Sequence, residues 1–211
     1  MSTPTGHREI ALQLGDVELA GTLAVPQGAD GLVIFVHGSG SSRFSPRNQF
    51  VADELNDTGL GTLLFDLLTS GEEGDRRLVF DIELLADRLT QVTTQVRDTA
   101  DWIAYFGAST GGGAALWAAA DPQADIASIV SRGGRPDLAH PHVGEVRAPT
   151  LLLVGELDRA VIELNRQAAA AMHCEHELRI VPGATHLFDE PGTLDIVAHE
   201  ARDWFLAHPV R

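Results

Sequence analysis

The chain is poor in sulfur and in positive charge. A single cysteine, Cys174, stands among 211 residues. No internal disulfide can form, which fits a reducing compartment and makes a cytoplasmic location the expectation. Only 15 basic residues face 30 acidic ones, for a formal charge of −15. That balance disfavours a nucleic-acid partner and an anionic membrane surface, and it serves solubility. No apolar run approaches the length of a membrane span, and the stretch from Met1 to Glu9 has no apolar segment of a secretory signal. Internal repeats, low-complexity tracts and linkers are missing too. The remaining composition is 44% hydrophobic with a mean hydropathy of +0.01, ordinary for a globular protein. One domain over residues 1–211 is the expectation.

Apolar runs alternate with helical patterns along the chain. Ile10–Leu14 and Val17–Val25 flank Gly15-Asp16 and predict an edge hairpin. Leu32–Val36, Thr62–Leu67, Trp102–Phe106, Ile126–Val130, Thr150–Val154 and Leu178–Val181 are short, continuous apolar runs. Such runs fit strands buried on both faces of a parallel sheet. Between them, Ser45-Pro46 reads as N-cap and first residue of a helix that stops at Gly59. Ile82, Leu85, Leu89, Val92 and Val96 recur at helical spacing. Gly112–Ala120 and Val161–Met172 are alanine-rich and helical, and Thr193 is expected to cap a last helix. Thr69–Arg77 reads as an exposed loop. The pattern predicts an α/β fold: a mostly parallel sheet covered by helices on both faces, with an N-terminal antiparallel hairpin.

In such a sheet, ligands bind beyond the carboxyl ends of the strands. Four runs lead there into reactive or glycine-rich stretches: His37-Gly-Ser-Gly40, Gly107-Ala-Ser-Thr-Gly111, Gly155-Glu-Leu-Asp158 and Gly183-Ala-Thr-His186. The second sets a serine on a tight strand-to-helix turn, where Gly107 and Gly111 supply the lack of bulk. A serine hydroxyl needs a base to act as a nucleophile, and the base needs a carboxylate to fix its tautomer. Ser109, His186 and Asp158 fill those roles. Asp158 also suits a helix N-cap, and Asp137 is the other candidate acid. His37, ahead of a glycine turn, reads as structural. An oxyanion needs two N–H donors. Thr110, after the serine, and Ser39, in the first glycine loop, are the candidates. Arg43, Arg132 and Arg135 border the same edge. They either bind a substrate carboxylate or phosphate or pair with acids such as Glu72, Glu73 or Asp137.

The same four segments resemble the signature segments of α/β-hydrolases, over about residues 30–205. The order Ser109, Asp158, His186 is that family's chain order. The small form without a lid is most similar to the dienelactone hydrolase-like branch. Ser41-Ser-Arg-Phe-Ser-Pro-Arg47 and Ser131-Arg-Gly-Gly-Arg135 are similar to segments of that branch as well. The resemblance implies a serine esterase or lactonase, with Ser109 as nucleophile, His186 as base and Asp158 as acid. Dienelactone hydrolases proper use a cysteine nucleophile, so the serine here points to a general ester or another acyl compound. Val130 to Thr150 has room for a loop but not for a lid domain. A fairly open site is expected, with Thr69–Arg77 and Asp137–Arg147 as a low rim.

These readings imply a small-molecule ester substrate and no metal or cofactor. Acyl transfer or perhydrolysis on the same residues is the second reading. A non-catalytic ligand-binding protein of this fold is the third. Oligomeric state is left open.

Overall fold

A computed structural model describes residues 6–209. Its centre is one eight-stranded sheet in the order β1-β2-β4-β3-β5-β6-β7-β8. The strands are β1 (His7–Leu14), β2 (Val17–Ala24), β3 (Gly31–Val36), β4 (Gly61–Phe65), β5 (Trp102–Ala108), β6 (Ile129–Arg132), β7 (Thr150–Gly155) and β8 (His176–Val181). β1 and β2 pair antiparallel across the turn at Gly15-Asp16, from His7↔Ala24 to Leu14↔Val17. β2 meets β4 antiparallel, and every later pairing is parallel. The chain therefore adopts the α/β-hydrolase fold.

Continuous apolar runs became strands because both sheet faces are covered. β3, β5 and β7 are buried along their whole lengths. On one face α1 (Pro46–Asp57) and α6 (Thr193–Ala207) pack over Val33, Phe35, Ala104, Phe106, Leu151 and Leu153. On the other face α3 (Ile82–Val96) and α4 (Thr110–Ala119) pack over Leu32, Ile34, Ile103 and Tyr105. The remaining helices are the short α2 (Arg76–Val79) and α5 (Arg159–Ala171), which borders β7 and β8. Ser45 caps α1 by accepting the Asn48 N–H, and the Asp81 carboxylate caps α3 by accepting that of Leu84. Buried Tyr105 keeps its hydroxyl satisfied on Thr93 Oγ1 at 2.7 Å, and burial pushes its phenol pKa up. Among the described residues no helix is long and apolar enough to cross a membrane.

Four expectations shift. β4 ends at Phe65, because the Leu67 N–H is held by the His37 ring instead of a neighbouring strand. β6 runs over Ile129–Arg132, so Arg132 is the last residue of a strand, not part of the loop beyond it. Gly192 is the N-cap of α6, and Thr193 is its first residue, donating its hydroxyl to Glu190 O. The segment Thr69–Arg77 is pinned at one point. Glu72 accepts two bonds from Arg88, at 2.8 and 2.7 Å, and Arg88 also donates to Leu67 O. The Arg88 hydrogen bonds hold the Glu72 carboxyl far below its ordinary pKa, at about 2. No lid is inserted between β6 and β7. Short 3-10 turns at Pro136–Ala139 and His142–Glu145 lie against α4 and α5, the first of them beside Gly113 in the opening turn of α4.

Candidate active site

The end of β5 turns sharply into α4 through Ser109, at φ 51° and ψ −121°. Positive φ is strained for a side chain with a Cβ, and such strain clusters at functional sites. The neighbouring β6 loop braces the turn. Ser109 N–H donates to Arg132 O at 3.1 Å, and Ser109 O accepts from Arg135 N–H at 3.0 Å and Gly112 N–H at 3.0 Å. A Cβ on Gly111 would lie 2.1 Å from Val36 O, so the elbow needs a residue without one.

The loop after β8 brings His186 to this turn. Its Nε2 stands 3.2 Å from Ser109 Oγ, and its Nδ1 stands 2.5 Å from Asp158 Oδ2. Asp158 is the N-cap residue of α5 by position, yet its side chain makes no capping bond. The carboxylate faces the histidine instead. The structure thus brings Ser109, His186 and Asp158 into one hydrogen-bonded series. Asp137 stands apart, bound to the Arg135 guanidinium by two hydrogen bonds of 2.8 and 2.7 Å.

The glycine loop after β3 lies against the elbow. A Cβ on Gly38 would come within 3.0 Å of Ala108 O and Ser109 Cβ. The Ser39 N–H donates to Thr110 Oγ1 at 2.8 Å, so both candidate oxyanion residues meet at one corner. The Thr110 N–H opens α4, where the first amides lack intrahelical acceptors.

His37 fixes that loop. Its Nε2 accepts the Leu67 N–H at 3.1 Å, so the ring proton sits on Nδ1 and is donated to Gly38 O at 3.0 Å. This supports the structural reading of His37. Burial pushes its pKa below the ordinary histidine value. The unfolded chain then binds the proton more readily than the folded one, so stability is full above about pH 6.5 and falls as pH drops through that value. Melting temperatures between about pH 7.5 and 5.5 check this. His37→Gln is expected to lower the melting temperature at the upper pH and to flatten the decline below it.

The three arginines separate. Arg43 does not line the site. Its amide donates to Asp66 Oδ1 at 2.8 Å, and its guanidinium pairs with Asp66 and, at 3.3 Å, with Glu9. Arg135 is taken by Asp137. Each thus has a carboxylate neighbour that neutralises it locally. Arg132 is different. It is 7% exposed and lines a cavity of about 240 Å³ together with Ser109, His186, Asn48 and Leu187. Burial lowers its pKa to about 10, and the like charge of Arg47 adds to this.

Arg47 shares that cavity and was missed in the sequence. One signal was available. It sits in the first turn of α1, where no acidic residue stands and where the helix dipole disfavours a cation. A larger cavity of about 540 Å³, lined by Phe44, Leu67, Leu68, Val79 and Leu85, adjoins the first through Ser39 and Arg47. Among the described residues no group of three or more His, Cys, Asp or Glu side chains is placed to hold a metal ion.

Residues 29–201 match the family model of the alpha/beta hydrolase domain. The chain belongs to the α/β-hydrolase superfamily, in its dienelactone hydrolase-like branch. A dienelactone hydrolase from Anabaena variabilis is 47% identical, with a TM-score of 0.95 over 99% of this chain and 100% of that one. A Mycobacterium tuberculosis protein provisionally named a phosphoribosyl transferase is 55% identical over 97% of this chain. This chain spans only 47% of that relative's length. The Est1E protein of Butyrivibrio proteoclasticus, at 18% identity and a TM-score of 0.81 over 95% of this chain and 98% of its own, shares the fold.

Proposed function

We propose that the chain is a serine hydrolase that cleaves a carboxylic ester or lactone through an acyl-enzyme. The observation that carries this reading is the series Asp158 Oδ2, His186 Nδ1, His186 Nε2, Ser109 Oγ, with separations of 2.5 and 3.2 Å. With Nδ1–H donated to Asp158, the Nε2 lone pair faces the Ser109 hydroxyl. Ser109 Oγ attacks the carbonyl carbon while its proton passes to Nε2. The oxyanion is taken by the N–H groups of Thr110 and Ser39, replacing the Thr110 hydroxyl as acceptor for the latter. Collapse expels the alcohol, which leaves with the proton from Nε2. Water, deprotonated by the same nitrogen, then attacks the acyl-enzyme, releases the acid and restores Ser109.

Similarity to a dienelactone hydrolase at 47% identity supports hydrolysis. The transferase name of the Mycobacterium tuberculosis relative is not carried over. The Ser109 series suits acyl chemistry, and more than half of that relative lies outside the match. Asp158→Asn tests the assignment. The amide cannot hold the same histidine tautomer, and kcat for p-nitrophenyl acetate is expected to fall by about 10³- to 10⁴-fold with little change in melting temperature. Unchanged turnover would remove Asp158 from the mechanism. Retained activity in that variant, combined with loss in Asp137→Asn, would move the role to Asp137.

A further inference from the structure

Arg132 is a buried cation without a buried anion. Its backbone pairs with Ala108, next to Ser109. Its guanidinium donates to Asn48 Oδ1 at 3.3 Å and lies 5.8 Å from the centre of the Phe188 ring. Its Nε has no hydrogen-bond partner, and neither does the buried Nε of Arg47. Among the described residues no carboxylate forms an ion pair with Arg132. Arg47 pairs with Asp189 at 3.0 Å, and that acid is 56% exposed. Two guanidinium groups therefore share one small cavity with a single, largely solvated counter-ion. Holding a guanidinium out of water without a partner is costly. The arrangement is understandable if a ligand brings the missing negative charge.

We propose that Arg132 and Arg47 form a subsite for a phosphate group carried by the substrate, so that the ester or lactone cleaved is a phosphorylated one. The inference rests on the serine-hydrolase reading. The number of donors favours phosphate over a carboxylate. Besides the two guanidinium groups, the cavity is lined by Ser41 and Ser45. Ser45 Oγ already accepts the Asn48 N–H, which leaves its hydroxyl proton to donate. A planar carboxylate has two oxygens for this set, whereas a tetrahedral phosphate has three to spare. Paired arginines suit that anion. Asn48, 2% exposed, keeps the Arg132 fork in place through its carbonyl. Ser109 and His186 line the same cavity of about 240 Å³. The phosphate would then lie only a short linker from the scissile carbonyl, and the rest of the substrate would extend into the larger cavity.

Binding can be read without turnover. Ser109→Ala protein is titrated calorimetrically with inorganic phosphate, succinate and neutral succinamide. Phosphate is expected to bind more tightly than the other two. Adding Arg132→Gln or Arg47→Gln is expected to weaken it by about tenfold or more. Arg47 is partly exposed, so its variant keeps the test alive if Arg132→Gln fails to fold. In wild type, 1-acetylglycerol 3-phosphate is expected to exceed 1-acetylglycerol in kcat/KM by at least about tenfold, with Arg47→Gln reducing that ratio mainly through KM. Tighter binding of succinate, no binding of phosphate, or variants that match their parent would each overturn the subsite. The serine-hydrolase reading is judged separately, by whether 1-acetylglycerol is hydrolysed at all.

Discussion

Ser109→Ala is expected to lower kcat for p-nitrophenyl acetate by about 10⁴-fold or more while the protein keeps its fold. The hydroxyl is the attacking atom, and no other described group takes its place. The partner at Nε2 is lost, but His186 stays anchored at 2.5 Å on Asp158. Ser109 is partly exposed and its backbone bonds to Arg132 and Arg135 do not involve the side chain. The melting temperature should therefore move little. A modest fall in rate would assign ester cleavage to another nucleophile or to general base attack by water. His186→Ala should show a loss of similar size, because the two groups act as one unit.

Gly111→Ala should give the largest effect on stability. The added Cβ would stand 2.1 Å from Val36 O and 2.5 Å from His37 O. Both are main-chain atoms at the end of a strand buried at the centre of the sheet, so neither can turn aside as a flexible side chain would. Relief requires α4 to move off β3. That would shift the elbow and the loop carrying Ser39. Overpacking of this kind costs about 3 kcal/mol or more, which for a chain of this size is roughly 10 °C in melting temperature. Activity should fall with it. Gly74→Ala is the control: nothing lies within 4 Å of its added Cβ, and the melting temperature should stay within about 2 °C. Equal melting temperatures for the two variants would mean that α4 does not sit as close to β3 as described.

The fold was legible because burial on both faces turns strands into uninterrupted apolar runs. Buriedness and ladder pairing diverge at the start of β6. Ile126 and Ala127 are buried, and the Ala127 N–H donates to Ile103 O at 2.8 Å, yet the regular ladder of β6 starts only at Ile129. Hydrophobicity reports the first property and not the second. The residues of the Ser109 series were legible for a different reason: each stands at a strand end, and topology gathers strand ends at one edge. Asp158 had two readings because a helix boundary suits both a cap and a catalytic acid. Only the direction of its carboxylate separates them.

Direction is also what the arginines hid. Arg43, Arg132 and Arg135 all border the expected edge, but two of them turn to Asp66 and Asp137. The pairing of Arg43 joins distant parts of the chain and is invisible in sequence spacing. Arg135 and Asp137 are two residues apart, and that pairing was foreseeable. Arg47 leaves one trace in the sequence: a cation in the first turn of a helix runs against the dipole.

The most direct measurement is mass spectrometry of the wild-type protein after treatment with a fluorophosphonate, followed by peptide mapping. An activated serine displaces fluoride and keeps the phosphonyl group as a covalent adduct. One adduct is expected, on Ser109, and it is lost in His186→Ala. An unmodified protein, or an adduct on any other residue, would contradict the assignment of Ser109 as nucleophile.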